Sequence, residues 1–264
     1  MVRTSIDTDL VGTLQFPIVV RIQLHGRFAV VVDGRPVEQE LPGRRGRVLV
    51  ALLADPRRPV VDRAALLALL WYPAVPGPGA AATFAALLSK VRAVLAPAEI
   101  RGRGSLQLVL PPGSIVDTAV AEAALHSAEA AAARRDWHRA WAQALSTLFV
   151  TQRPFLPDIE DPWADDRRAI LAHTHRRALR CYAEACLQLG GGELPAAERA
   201  ARELTVLDPH SETGYCLLMR SLAQRGDRGG ALDVFAELQR VLRDDLGASP
   251  GPLAAAVHRD LLAP

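Results

Sequence analysis

PVVDRAALLALLW (residues 59–71), YPAVPGPG (72–79), AAATFAALLSKVRAVL (80–95) and EIRGRGSLQLVLPPG (99–113) are the stretch that decides the fold. Asp62 stands where it can cap a helix, and Leu66, Leu67, Leu69, Leu70 and Trp71 follow at once. The proline- and glycine-rich 72–79 breaks that helix. In 80–95, Phe84, Leu87, Leu88, Val91 and Leu95 fall at the i, i+3, i+4 spacing of one helical face. A short strand pair with arginines at its tip comes next. Helix, turn, helix and basic hairpin in that order are the parts of a winged helix-turn-helix. In that motif the second helix enters a DNA major groove and the hairpin touches the backbone.

The outward side of the second helix follows from its buried side. With Phe84 at the centre of the apolar stripe and about 100° per residue, the opposite side carries Ala82, Ala86, Ser89 and Ala93. Thr83, Ala85, Lys90 and Arg92 flank it. Base edges are read by forked donors, and alanine meets only a thymine methyl, so this face is sparing in readout chemistry. The candidate DNA-binding residues are Lys90, Arg92 and Ser89 on the helix, with Arg101 and Arg103 on the hairpin reaching phosphate or the minor groove. Arg44, Arg45 and Arg47 are further candidates for the backbone. They open a helix in GRRGRVLVALLAD, where cations oppose the dipole and call for compensation.

Upstream, IVVRIQLHGRFAVVVDGRPVEQEL has β-branched runs broken at His25-Gly26 and Asp33-Gly34, which predicts three short strands before that helix. A leading sheet, three helices and a terminal hairpin form the winged-helix variant found in response-regulator effector domains. Residues 1–16 lack sustained patterning and are expected to form a loose arm, with the winged helix over 17–113.

The chain of 264 residues can hold two ordinary domains, and with half its residues hydrophobic and 23% charged it is globular. A net charge of +2 conceals a split. Residues 17–116 carry 13 basic against 6 acidic side chains, while residues 117–264 carry 17 against 21. A polyanion partner is therefore expected for the first part only. Lys90 is the single lysine beside thirty arginines, and asparagine is absent; this compositional habit deprives arginine-for-lysine choices of functional weight.

Cys181, Cys186 and Cys216 form no CxxC and read as buried thiols of a reducing compartment. There is no apolar run of about 20 residues to span a bilayer and no leader pattern, so a cytoplasmic protein without membrane contact is expected. A P-loop, a GxSxG elbow and an acid pair with a plausible basic partner are all missing, which argues against an enzyme and against a cofactor. His173 and His175 lie two apart on a helix and cannot chelate one metal. Asp165, Asp166, Arg167 and Arg168 open a long helix, where acids suit the dipole.

From residue 114 to 264 the chain reads as nearly all helix. PAAERAARELTVLDP and GGALDVFAELQRVLRDDLGASP share a packing pattern, with Ala197 and Ala231 34 residues apart. That is the tetratricopeptide period, and Ala140 after Trp137 marks an earlier, degenerate unit. Trp137, Trp141, Tyr182 and Tyr215 are its aromatic packing, or line a groove for a peptide or small ligand. The predicted fold class is mostly α with a small β component: an N-terminal winged helix-turn-helix, then an all-α tetratricopeptide-like repeat domain.

CLLMRSLAQRGDRGGALDVFAELQRVLRDDLGASPGPLAAAVHRDLL, within 216–262, resembles the bacterial transcriptional activator domain through Leu217-Leu218-Met219-Arg220, Gly226-Asp227, Ala231-Leu232, Phe235, Leu242-Arg243-Asp244-Asp245-Leu246-Gly247 and Pro250. With an OmpR-type winged helix before it, the chain from about 18 to 263 resembles the Streptomyces antibiotic regulatory protein (SARP) family. The resemblance implies binding to promoter direct repeats in double-stranded DNA, self-association side by side on them, and recruitment of RNA polymerase through its sigma factor. It also implies control of a secondary-metabolite gene cluster without catalysis. The chain departs from the family pattern in its alanine-rich helix face and in Gly104-Ser105-Leu106, where an aromatic commonly follows the glycine. The alternative is a scaffold of the same architecture, with a degenerate reading helix, that acts through protein contacts.

Overall fold

The computed structural model describes residues 19–263, so the arm expected over 1–16 lies outside the described residues. Two compact units emerge: residues 19–22 with Ala29–Ile115, and Gln23–Phe28 with residues 116–263. The fold is mostly α with a small β component, a winged helix in the first unit and stacked helices in the second.

In the first unit β1 (Val20–Gln23), β2 (Ala29–Val32) and β3 (Arg35–Pro36) lie side by side in reverse order. Val32 faces Arg35 across a two-residue turn. Asp33 (φ 50°) and Gly34 (φ 79°) both adopt the left-handed backbone that such a turn demands. Helix α1 (Gly43–Ala54) buries Val48, Leu49, Leu52 and Leu53, the face expected from the sequence. Helix α2 (Arg63–Trp71) is capped as predicted, the Asp62 carboxylate accepting from the N–H groups of Ala64 and Ala65 at 2.8 and 3.1 Å. Only Leu66 and Leu70 of its apolar run are fully buried. Helix α3 (Ala80–Leu95) sinks Phe84, Leu87, Leu88, Val91 and Leu95.

The hairpin is β5 (Glu99–Arg101) with β6 (Ser105–Val109). A third strand not foreseen from sequence, β4 (Val61–Asp62), pairs with β6 through Val61–Leu106 and Asp62–Ser105. Two residues are too few for a periodic signal, and only the long-range pairing makes them a strand. β7 (Ile115–Val116) follows the hairpin.

The second unit is a run of antiparallel helices: α4 (Asp117–Ala133), α5 (Trp137–Thr151), α6 (Pro162–Leu189), α7 (Leu194–Leu207), α8 (Glu212–Gln224), α9 (Arg228–Leu246) and α10 (Pro252–Leu262), with a 3-10 turn (Gly191–Glu193) before α7. Each of α4 to α8 packs on its successor, and α10 closes the stack on α8 and α9. Ala140, Ala197 and Ala231, the repeat positions, are all fully buried. Asp161 caps α6 with Pro162 at its first position. Helix α9 ends on left-handed Gly247, and Ala248 N–H returns to the Leu242 carbonyl at 3.1 Å.

Two connections depart from the sequence reading. The His25-Gly26 break is no hairpin turn. It bridges instead to the 154–156 connection, Gly26 N–H donating to Pro154 O at 2.8 Å and Leu156 N–H to Leu24 O at 2.9 Å. Arg168, expected merely to open α6, ties that connection down. Its Nε donates to Phe155 O at 2.9 Å, and its Nη2 to Leu156 O and Ile159 O at 2.5 and 2.7 Å. Replacing Arg168 by Ala removes a donor from three carbonyls, of which Leu156 O keeps the Ile159 N–H, and is expected to destabilise the second unit by about 2–3 kcal/mol. Arg168→Lys should recover less than half, because one ammonium cannot reproduce the guanidinium fork. Denaturant unfolding of both variants measures this; equal stability of all three proteins would refute it.

Candidate nucleic-acid interface

Phe84, Leu87 and Leu88 anchor α3 in the core, so the opposite side must meet solvent. Ala82, Ala86, Ser89 and Ala93 are exposed there, with Thr83, Ala85, Lys90 and Arg92 on the flanks. Ser89 and Lys90 stand adjacent, and Lys90 has no ion pair among the described residues.

Arg92 is engaged elsewhere. Its Nε and Nη2 both donate to the Ile100 carbonyl, at 3.0 and 2.7 Å. The helix's single guanidinium is thereby turned onto β5, fixing the hairpin against the end of α3. Arg63 makes a second tie: its N–H donates to Gly104 O at 2.8 Å and its guanidinium stacks over Phe84 at 4.6 Å. The sequence reading passed over Arg63, whose only signal was its place directly after the Asp62 cap.

On the hairpin, Arg103 is exposed at the turn and has no ion pair among the described residues. Arg101 differs, because its Nε lies 2.7 Å from Glu99 Oε2 on the same face of β5, both side chains well exposed. That hydrogen bond first, and the opposite charge second, hold the Glu99 carboxyl below its usual value and raise Arg101. Glu99 was not foreseen as part of the site; a strand pair two residues apart on one face was the available signal. Gly102 (φ 99°) makes the turn possible, since a Cβ there would collide with the Ser105 carbonyl.

The cations opening α1 are partly satisfied within the protein. Arg45 Nε donates to Leu70 O at 3.2 Å and its guanidinium lies 4.4 Å from the Trp71 ring centre, so packing supplies the compensation that the dipole argument demanded. Arg44 is exposed, and Arg47 half-buried. Among the described residues no His, Cys, Asp and Glu group could hold a metal, and no helix is long and apolar enough to cross a membrane. His175 lies between Thr151 Oγ1 at 2.8 Å and Glu203 Oε1 at 3.2 Å.

A three-strand winged sheet behind an outward helix, followed by stacked helical pairs, defines a winged-helix protein with a helical-repeat partner unit. Residues 116–262 match the bacterial transcriptional activator domain, and the chain belongs to that family. It is 26% identical over 183 residues to regulatory protein AfsR of Streptomyces griseus, covering 69% of this chain and 19% of that one. Its fold is shared with Mycobacterium tuberculosis EmbR, solved with a low-affinity phosphopeptide: TM-score 0.78 at 23% identity, over 93% of this chain and 65% of EmbR. The chain thus spans a fifth of the one relative and just under two thirds of the other.

Arg92→Ala is expected to loosen the hairpin by about 1–2 kcal/mol, read as faster amide exchange at Ile100 and Arg101. Arg103→Ala should leave those amides unchanged. Equal exchange in both variants would show that the guanidinium does not hold β5.

Proposed function

We propose that the chain is a DNA-binding transcriptional activator. A winged helix over 17–113 binds promoter direct repeats, and the helical repeats over 114–264 recruit RNA polymerase through its sigma factor. Neighbouring copies associate on the DNA, the protein acts in the cytoplasm without catalysis, and its target is a secondary-metabolite gene cluster. The observation that carries the reading is the pair of unpaired exposed cations, Lys90 on the outward flank of α3 and Arg103 at the hairpin turn, in a chain of this family. Phosphate contacts need such side chains, already free of internal partners.

Within this reading Lys90, Ser89 and Arg103 make the first contacts, Arg101 contributes once a phosphate competes with Glu99, and Arg44 and Arg47 lie on the backbone side. Arg92 and Arg45 act mainly by holding the helix and hairpin in place. Sequence discrimination comes from Ser89, from thymine methyls against Ala82, Ala86 and Ala93, and from DNA shape rather than from bidentate forks. A second reading, a scaffold acting through protein contacts, is favoured by the same alanine face.

Titration of promoter fragments at several salt concentrations separates the two. Activator behaviour predicts log K falling against log salt with a slope of several units, about 0.9 for each phosphate neutralised. The Lys90→Ala, Arg103→Ala double variant should lower the slope by about 2, and Glu99→Gln should tighten binding by releasing Arg101. Failure to bind any genomic fragment at low salt, with a stable protein partner recovered instead, would favour the scaffold.

A further inference from the structure

We infer that the second unit contains a binding site for a small amphipathic carboxylate, its head set among Arg176, Arg177 and Arg180 and its apolar body lying over Cys181, Cys216 and Leu217. Two adjoining cavities build the site. One, of about 140 Å³, is lined by His173 and the three arginines from α6 and by Ser211 and Thr213 at the start of α8. The other, of about 530 Å³, sets Ala132 of α4, Cys181 of α6, Cys216 and Leu217 of α8 and Leu253 of α10 beside Glu129, Glu184, Arg180, Arg220 and Thr213. Arg180 and Thr213 line both, so the two cavities are neighbours.

The charge follows from the helix. Positions 173, 176, 177 and 180 recur at i, i+3, i+4 and i+7, so one face of α6 presents His173 and three arginines to the first chamber. The like-charged arginines at that spacing repel and need counter-charge. Glu129 supplies part of it, accepting from Arg177 Nε and Nη2 at 2.9 and 2.5 Å and lying 3.9 Å from Arg180. Arg176, half-buried, has no ion pair among the described residues. Around the two chambers Arg176, Arg177, Arg180 and Arg220 face the carboxylates of Glu129, Glu184 and Asp208. Four against three leaves one positive charge, which a single carboxylate matches.

The second chamber supplies the apolar half. Burial keeps its thiols protonated, pushing Cys181 up to about 11 and raising Cys216 as well, so both present soft, uncharged sulfur. Leu253, 55% exposed, stands at the mouth with apolar surface still to cover. A volume near 530 Å³ lies within the range of roughly 300–1,000 Å³ usual for small-molecule sites. Because α4, α6, α8 and α10 all contribute, an occupant would tie four helices together and stabilise the stack.

This site does not depend on the DNA reading, and its test contains no DNA. Decanoate titrated into the full chain by calorimetry should bind saturably with one site and raise the melting temperature. Decanol and decyltrimethylammonium should bind at least tenfold more weakly. Arg176→Ala, which removes no internal ion pair, should weaken decanoate at least tenfold without lowering the melting temperature of the free protein. Leu217→Trp, which fills the apolar chamber, should weaken decanoate and decanol alike. Decanol binding as tightly as decanoate, unchanged affinity in Arg176→Ala, or a failure of decanoate to bind where an acidic apolar peptide does, would each overturn the assignment.

Discussion

Methyl-sized side chains where helices cross are the constraint on which the second unit depends. A helical pair in a repeat cannot cover its own apolar face, and its stability comes from the neighbouring pair. That requires helix axes close together, and Ala140, Ala197 and Ala231 provide the space, each fully buried. Ala128, Ala131, Ala144 and Ala185 do the same where α4, α5 and α6 meet. Larger side chains, Tyr215, Met219, Leu238 and Phe235, then fill the gaps that the close approach leaves. Enlarging any of these alanines would push two helices apart and open those gaps.

Alanine also shows where sequence reading stops. On α3, Ala82, Ala86 and Ala93 are exposed, while on α5, α7 and α9 the repeat alanines are buried. Residue type cannot distinguish these cases. What distinguishes them is the position of the large apolar residues on the same helix, and that is legible: the spacing of Phe84, Leu87, Leu88, Val91 and Leu95 alone fixes the outward side of α3. The Asp62 and Asp161 caps, the Asp33-Gly34 turn and the 34-residue spacing were legible for the same reason, being local patterns with local causes. The β4 strand and the pairing of residues 24–26 with 154–156 were not, because each exists only through a partner far along the chain.

The site residues divide along the same line. Counting cations and asking which lie on the outward helix or at the hairpin tip finds Lys90 and Arg103. It cannot find that Arg92 closes on the Ile100 carbonyl, that Arg45 stacks on Trp71, or that Glu99 holds Arg101. Each of those is a choice between a solvated cation and a cation with an internal acceptor, and the acceptor is in most cases a backbone carbonyl that carries no sequence signal. A guanidinium with five donors can satisfy one or more carbonyls and remain partly exposed, so exposure alone does not identify a contact residue either.

This has a particular consequence in a chain of thirty arginines and one lysine. Arginine here is the general-purpose structural donor, as Arg168 with its three carbonyls and Arg177 with the Glu129 carboxylate show. Net charge therefore overstates the surface available to a polyanion, since many of the positive groups already face an acceptor. The informative quantity is the cation left over once internal partners are assigned. In the first unit the cations so left over include Lys90 and Arg103, on the outward side of a winged helix; in the second they include Arg176, at a cavity. An outward surface suits a duplex and a half-open cavity suits a small anion. The two units are thus distinguished by the geometry around the unpaired charge, although the same residue type carries most of it in both.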